Sequence, residues 1–169
     1  MVHFDYQQSY PLENEIVQLL PLRAEYEAPL RDLAKEPELW TFFEEGGHDE
    51  QAFSQYFNHA LDHRREGSQY PYAVFDKRSH QFAGMIRLYQ YSAESLNIKV
   101  GHTWYGAAFR GTGLNKHCKY LLFQFIFEQL GLQRIGLVAH QDNIISLSAM
   151  KSVGSQEEGR LRSFFRSIN

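Results

Sequence analysis

Between Trp104 and Leu114 the chain must leave a strand, cross closely spaced glycines and begin a helix, and this passage constrains the fold more than any other. Upstream, Leu96, Ile98, Val100, His102 and Trp104 alternate, which predicts a strand over 96–104 with these five on one face. Downstream, Leu114, Cys118, Leu121, Leu122, Phe125 and Ile126 recur at helical spacing, and Gly131 supplies a stop. A helix start carries unpaired backbone N–H groups and partial positive charge. Gly111 and Gly113 remove the side chains that would keep an anion from those groups, and Arg110 adds a cation suited to phosphate. The run Arg110-Gly111-Thr112-Gly113-Leu114-Asn115 reads as a phosphate or pyrophosphate cradle; taken alone, it also fits a plain tight turn.

The rest of the chain alternates element types. A strand is predicted over 16–22, a helix over 24–35 that ends near Pro37, and a second helix over 49–66 carrying Phe53, Phe57, Ala60 and Leu61. Strands follow over 70–75 and 82–91, with turns at 76–79 and 92–94. Beyond the central helix come a strand over 134–139, a short helix over 144–153 and a last strand over 156–165. The order predicts an α+β (mixed α/β) fold with a mixed central sheet, flanking helices and one crossover helix. At 169 residues, without repeats or linkers, residues 1–169 are expected to form a single domain.

Composition narrows the partners. Lys plus Arg number 17 against 20 Asp plus Glu, a net charge of −3, which argues against a nucleic-acid protein held by bulk charge. The one cysteine, Cys118, excludes an intramolecular disulfide, and its place on an apolar helix face predicts a packed, inert thiol. The first residues lack the pattern of a secretory signal, and the apolar run Tyr120–Phe127 is too short to span a bilayer. A cytoplasmic protein without a membrane partner is expected.

Two phosphate-loop rivals fail on their residues. Gly106 and Gly111 have Walker spacing, but Thr112 stands where the lysine must be. Gly111-Thr112-Gly113 lacks the third glycine of a dinucleotide fingerprint, since Lys116 occupies it. The chain instead resembles the GNAT superfamily of acyltransferases, in the branch related to ribosomal-protein N-terminal acetyltransferases. The resemblance rests on Gly101-His102-Thr103-Trp104, the Arg110–Asn115 loop, Lys119, Phe127-Glu128, Asn143-Ile-Ile-Ser146, Gly154, and Glu158-Gly159-Arg160-Leu161-Arg162, all in order.

That resemblance implies a GNAT-like sheet whose central strands splay around acetyl-CoA, the co-substrate. It implies that the pantetheine arm pairs with backbone near Thr103 and Trp104. The pyrophosphate would lie on amides of Arg110, Gly111, Thr112, Gly113, Leu114 and Asn115, with Asn143 and Ser146 near the sulfur. Asn143 and Ser146 are the expected catalytic pair, Ser146 as proton donor or hydrogen-bond partner to sulfur. The implied reaction is direct attack of a primary amine, a peptide or protein N-terminus or a small amine, on the thioester. The alternative is a non-catalytic acyl-CoA-binding regulatory domain. Two positions depart from the family: Lys99 stands where a glutamate base is common, and Met150 where a tyrosine donor is. The family also continues past Glu158-Gly159 with a further strand, so an uncovered sheet edge, and hence a homodimer, is expected.

Other residues take plainer readings. His102 has a histidine's usual fitness for base work, but its place in an apolar strand predicts packing. His59 and His63 are spaced like a helical metal pair, but without the HExxH glutamate no metal site is expected. Trp40, Phe42 and Phe43 are expected in the core or as an acceptor-pocket wall, followed by Glu44 and Glu45. Arg64, Arg65, Arg160, Arg162 and Arg166 are expected on solvated faces.

Overall fold

The computed structural model describes residues 3–164. Strands β1 (Leu12–Glu13) and β2 (Val17–Pro21) precede helices α1 (Glu27–Leu33) and α2 (Glu50–Arg65). Three long strands follow, β3 (Gln69–Asp76), β4 (Gln81–Ser92) and β5 (Asn97–Tyr105), then helix α3 (Leu114–Gln124), strand β6 (Arg134–Gly136) and helix α4 (Ile144–Ser152). The six strands form one sheet in chain order, antiparallel except for the β5–β6 pair, which is parallel. This is the mixed α+β sheet with flanking helices that the sequence predicts. β1 was not among the predicted strands; two residues are too few to carry a periodic signal.

Local chemistry explains the helices that frame the sheet. Asp49 caps α2 by accepting from the Ala52 amide at 2.8 Å, while His63, Arg64 and Arg65 occupy its last turn, where cations suit the helix dipole. Phe53, Tyr56, Phe57 and Ala60 fall on one stripe of α2 and are fully or almost fully buried. They form a cluster with Trp40, Ala73, Met85 and Trp104 on one face of the sheet. On the other face, α3 buries Leu114, Cys118 and Leu122 against Val100, Ile98 and Tyr105. Arg64, expected to be solvated, instead pins the N-terminal segment: its Nε donates to the Tyr6 carbonyl at 3.0 Å and its guanidinium lies 4.5 Å above the Tyr70 ring.

Three expectations fail. Ile98, Val100 and Trp104 do not share a face: the first two pack toward α3 and Trp104 packs toward α2. A β-bulge interrupts the β4–β5 ladder between Met85 and Arg87, with His102 at φ 47°, and one extra residue inverts the alternation beyond it. The strand predicted over 134–139 stops at Gly136, because the parallel ladder ends at the Lys99–Gly136 pair. Residues 156–164 form no strand; the run is exposed apart from ion pairs such as Arg160–Glu157. Phe165, Arg166 and Asn169, like Met1 and Val2, lie outside the described residues.

Candidate functional site

The site grows from the end of β5. β6 pairs with β5 only at Asn97–Lys99, whereas β5 runs on to Tyr105. From Val100 onward the outer edge of β5 therefore has no strand beside it among the described residues. The bulge at His102 lies in this unpaired stretch. Positive φ is costly for a histidine, by roughly 1 kcal/mol or more, so the surrounding sheet must hold it.

Immediately after β5 the chain makes the predicted turn. Gly111 and Gly113 adopt φ of 71° and 84°, a conformation that glycine takes without steric cost. A Cβ at either would meet nothing within 4 Å: the space in front of the turn is open. No side chain caps α3 at Gly113; the Lys116 amide bonds the Gly113 carbonyl at 3.0 Å, and the Leu114 and Asn115 amides before it are placed to meet an external acceptor. Asn115 is fastened to β5 by the Tyr105 hydroxyl, which donates to its Oδ1 at 3.2 Å, and the Thr112 hydroxyl donates to the Phe109 carbonyl at 2.8 Å. Arg110 is engaged inward: its Nε donates to the Tyr105 carbonyl at 2.9 Å and its Nη2 pairs with Glu36 at 2.8 Å. A second cation, absent from the sequence reading, reaches the loop: Arg78, gripped by Asp76, donates to the Thr112 carbonyl at 3.4 Å.

The other predicted site residues divide. Trp104 is buried, its indole donating to the Tyr56 hydroxyl at 3.2 Å, so only its backbone is available to a ligand. Thr103 turns its hydroxyl toward α3, where it accepts from Lys119 Nζ at 3.0 Å. Asn143 and Ser146 form the N-terminal cap of α4, with Asn143 Oδ1 accepting from the Ser146 amide at 3.0 Å. No hydrogen bond among the described residues joins that pair to the loop or to Thr103.

A groove of about 1750 Å³ runs along β6 between residues 97–99 of β5 and the segment 155–164. Phe42, Phe43 and Glu44 line it, as do Lys99 and Met150, the two positions that depart from the family pattern. Trp40, by contrast, is core. His102 stands at 5.2 Å edge-on to the Tyr89 ring. Burial, helped by the charges of Arg87 and His63, pushes its imidazole down to about 4, so it is neutral at neutral pH. His59 pairs with Glu45 and His63 with Glu66, and no group of three or more His, Cys, Asp or Glu among the described residues is placed to hold a metal ion. No helix among them is long and apolar enough to cross a membrane. Cys118 is fully buried, and burial pushes its thiol up to about 11, consistent with a packed, unreactive cysteine.

Two buried cations, Lys119 and Arg87, are not among the predicted site residues. Lys119 and Arg87 are 5% and 1% exposed, and neither belongs to any ion pair among the described residues. Arg87 carries a signal in hindsight, a lone cation at the centre of an apolar strand; Lys119 has none beyond its place in the family pattern.

Lys119 makes a prediction about stability. Burial pushes its amine down to about 8 from 10.5. Below about 8 the folded and unfolded chains both hold the proton, and the cost of burying the charge is felt in full. As pH rises from about 8 toward 10.5 the folded chain releases the proton first, so stability rises. Lys119→Met is expected to stabilise the protein at pH 7 by roughly 2 kcal/mol, after loss of the Thr103 hydrogen bond, and to flatten this rise. Thermal melts of both proteins between neutral and alkaline pH measure it; a destabilised Lys119→Met at pH 7 refutes it.

The acetyltransferase (GNAT) domain family matches residues 17–156. Among solved structures, a GNAT-family protein from Chromobacterium violaceum is 28% identical with a TM-score of 0.79, covering 88% of this chain and 75% of that one. RimJ of Mycobacterium smegmatis, solved with CoA-disulfide, is 18% identical with a TM-score of 0.70, covering 89% and 76% of the two chains. RimL, a ribosomal L7/L12 alpha-N-protein acetyltransferase, is 14% identical with a TM-score of 0.77, covering 94% and 87%. No curated protein sequence matches the chain. The family match over most of the chain, together with the shared fold, defines the class. The chain belongs to the GNAT acetyltransferase family, whose members use acetyl-CoA, and it is an acetyltransferase.

Proposed function

We propose that residues 1–169 act as one cytoplasmic domain that transfers the acetyl group of acetyl-CoA to a primary amine, on a peptide or protein N-terminus or a small molecule. The observation that carries this is the parting of β5 from β6 beyond Lys99, next to an uncapped glycine turn. An extended pantetheine arm would complete the hydrogen bonding of β5 near Thr103 and Trp104, while the amides of Arg110–Asn115 receive the pyrophosphate. The open space before Gly111 and Gly113 fits that group. RimJ, which shares the fold, is solved with a CoA derivative, and RimL acts on a protein α-amine, which favours an N-terminal acceptor. The edge of β6, which no strand among the described residues covers, favours a second copy as partner.

The chemistry is acyl transfer. The neutral amine attacks the carbonyl carbon, a C–N bond forms, the C–S bond breaks, sulfur leaves with the electron pair, and the proton lost from the amine nitrogen passes to water. An α-amine, with a reference pKa near ~8, reaches its neutral form far more readily than a lysine near ~10.4. That difference matters where Lys99 replaces a carboxylate base. Phe42, Phe43 and Glu44 at the groove offer an apolar wall and a carboxylate for a cationic acceptor. Asn143 and Ser146 remain the proposed pair at the sulfur end.

The test is thiol release from acetyl-CoA with a panel of peptides and small amines. Amine-dependent release, with the acetylated product seen by mass, is expected, faster for N-terminal α-amines than for lysine side chains at pH 7. Tight CoA binding without release by any amine would overturn the transfer reading and leave a binding domain.

A further inference from the structure

The bulge at His102 lies between two buried cations, one on each face of the sheet. From the α3 side, Lys119 Nζ donates to the Thr103 hydroxyl at 3.0 Å, and that hydroxyl reaches across the bulge to the Gly101 carbonyl at 3.5 Å. From the α2 side, Arg87 stands opposite Gly101 in the β4–β5 ladder. Its guanidinium carbon lies 4.4 Å above the Tyr56 ring and its Nη1 donates to Gln69 at 3.0 Å, while Nε and Nη2 are buried without a hydrogen-bond partner. Buried cations are normally neutralised by a carboxylate. Among the described residues none pairs with either, although Asp and Glu outnumber Lys and Arg in the chain. The cost is tolerated at one place in the sheet, where β5 is bulged and unpaired.

We propose that Lys119 and Arg87 together make the β5 bulge a site for negative charge, and that its ligand is the thiolate sulfur of coenzyme A. This rests on the reading that the pantetheine arm lies along β5. Acyl transfer places an electron pair on sulfur when the C–S bond breaks, and fixed cations in a water-poor setting stabilise that charge without reorganising. Both residues are positioning residues acting by their field; neither is assigned a proton transfer. The neighbouring titratable groups are uncharged: His102 is neutral, and burial holds Cys118 and Tyr105 protonated. His63 on α2 adds to the positive side when protonated. Met150 has no proton to offer the leaving sulfur, and the field of the two cations would hold the sulfur's negative charge without one.

The test reads the sulfur directly. Free CoA is titrated in the presence of saturating protein, following ultraviolet thiolate absorbance, with the complex of CoA lacking its thiol as the blank. The bound thiol is expected to ionise about one to two pH units below free CoA. Lys119→Met is expected to move it back by about half or more, and Lys119→Arg to hold it nearly in place. Arg87→Met should act like Lys119→Met, but Lys119→Met is the cleaner variant because it is expected to be more stable than the parent. A bound thiol that titrates as in free solution, or one unmoved by both Met variants, overturns the proposal while leaving the cofactor site standing. Failure of the parent protein to bind CoA at all overturns the cofactor reading and this one with it.

Discussion

Gly113→Glu is expected to weaken acetyl-CoA binding by roughly a hundredfold or more while leaving the protein folded. A carboxylate about 4 Å from a phosphate charge costs several kcal/mol at the dielectric of a partly exposed site, and each ~1.4 kcal/mol is a factor of ten. The fold tolerates the side chain because a Cβ at Gly113 points into empty space. What it does not tolerate freely is the φ of 84°, which costs a non-glycine residue roughly 1 kcal/mol. Gly113→Asn separates the two effects, since asparagine accepts the left-handed region and carries no charge. Calorimetric titration with acetyl-CoA should rank the proteins as parent, then Gly113→Asn, then Gly113→Glu far behind. Equal affinity for all three would remove the glycine turn from the cofactor site.

Gly84→Ala is expected to be strongly destabilising. A Cβ there would sit 1.9 Å from the Trp104 carbonyl oxygen and 2.9 Å from its carbonyl carbon and from Tyr105 Cα. These are backbone atoms of the paired strand and cannot rotate away, so β4 and β5 must separate where the bulge begins. The loss should exceed about 3 kcal/mol, a large share of an ordinary domain's ~5–15 kcal/mol. Gly136→Ala is the control in the same sheet. Its Cβ would meet only the flexible side chain of Lys99, at 3.0 Å, and should cost about 1 kcal/mol or less. Denaturant midpoints decide it: a Gly84→Ala protein that unfolds with the parent would disprove the close approach of the two strands.

Much of the fold was legible because its signals are local. The helical spacing of Phe53, Phe57, Ala60 and Leu61 marks α2, and Gly113 and Gly131 bracket the central helix with the positive φ that glycine permits. The glycine turn of the candidate site was legible for the same reason. The face of Trp104 was not, since a bulge is a property of two strands in register and leaves no mark in the alternation of one. The short β6 and the strandless run over 156–164 escaped for a related reason: apolar alternation permits a strand, but only a neighbouring ladder makes one.

The residues by themselves determined the order of elements, the mixed sheet and the turn at Arg110–Asn115, because propensity, periodicity and glycine conformation act within a few positions of one another. Only the tertiary structure decided that Arg110 is tied to Glu36, that Arg78 comes to the loop, and that Lys119 and Arg87 are buried without a carboxylate partner among the described residues. Charge compensation acts through space, between residues far apart along the chain, and no spacing rule records which cations are left unpaired when the sheet closes.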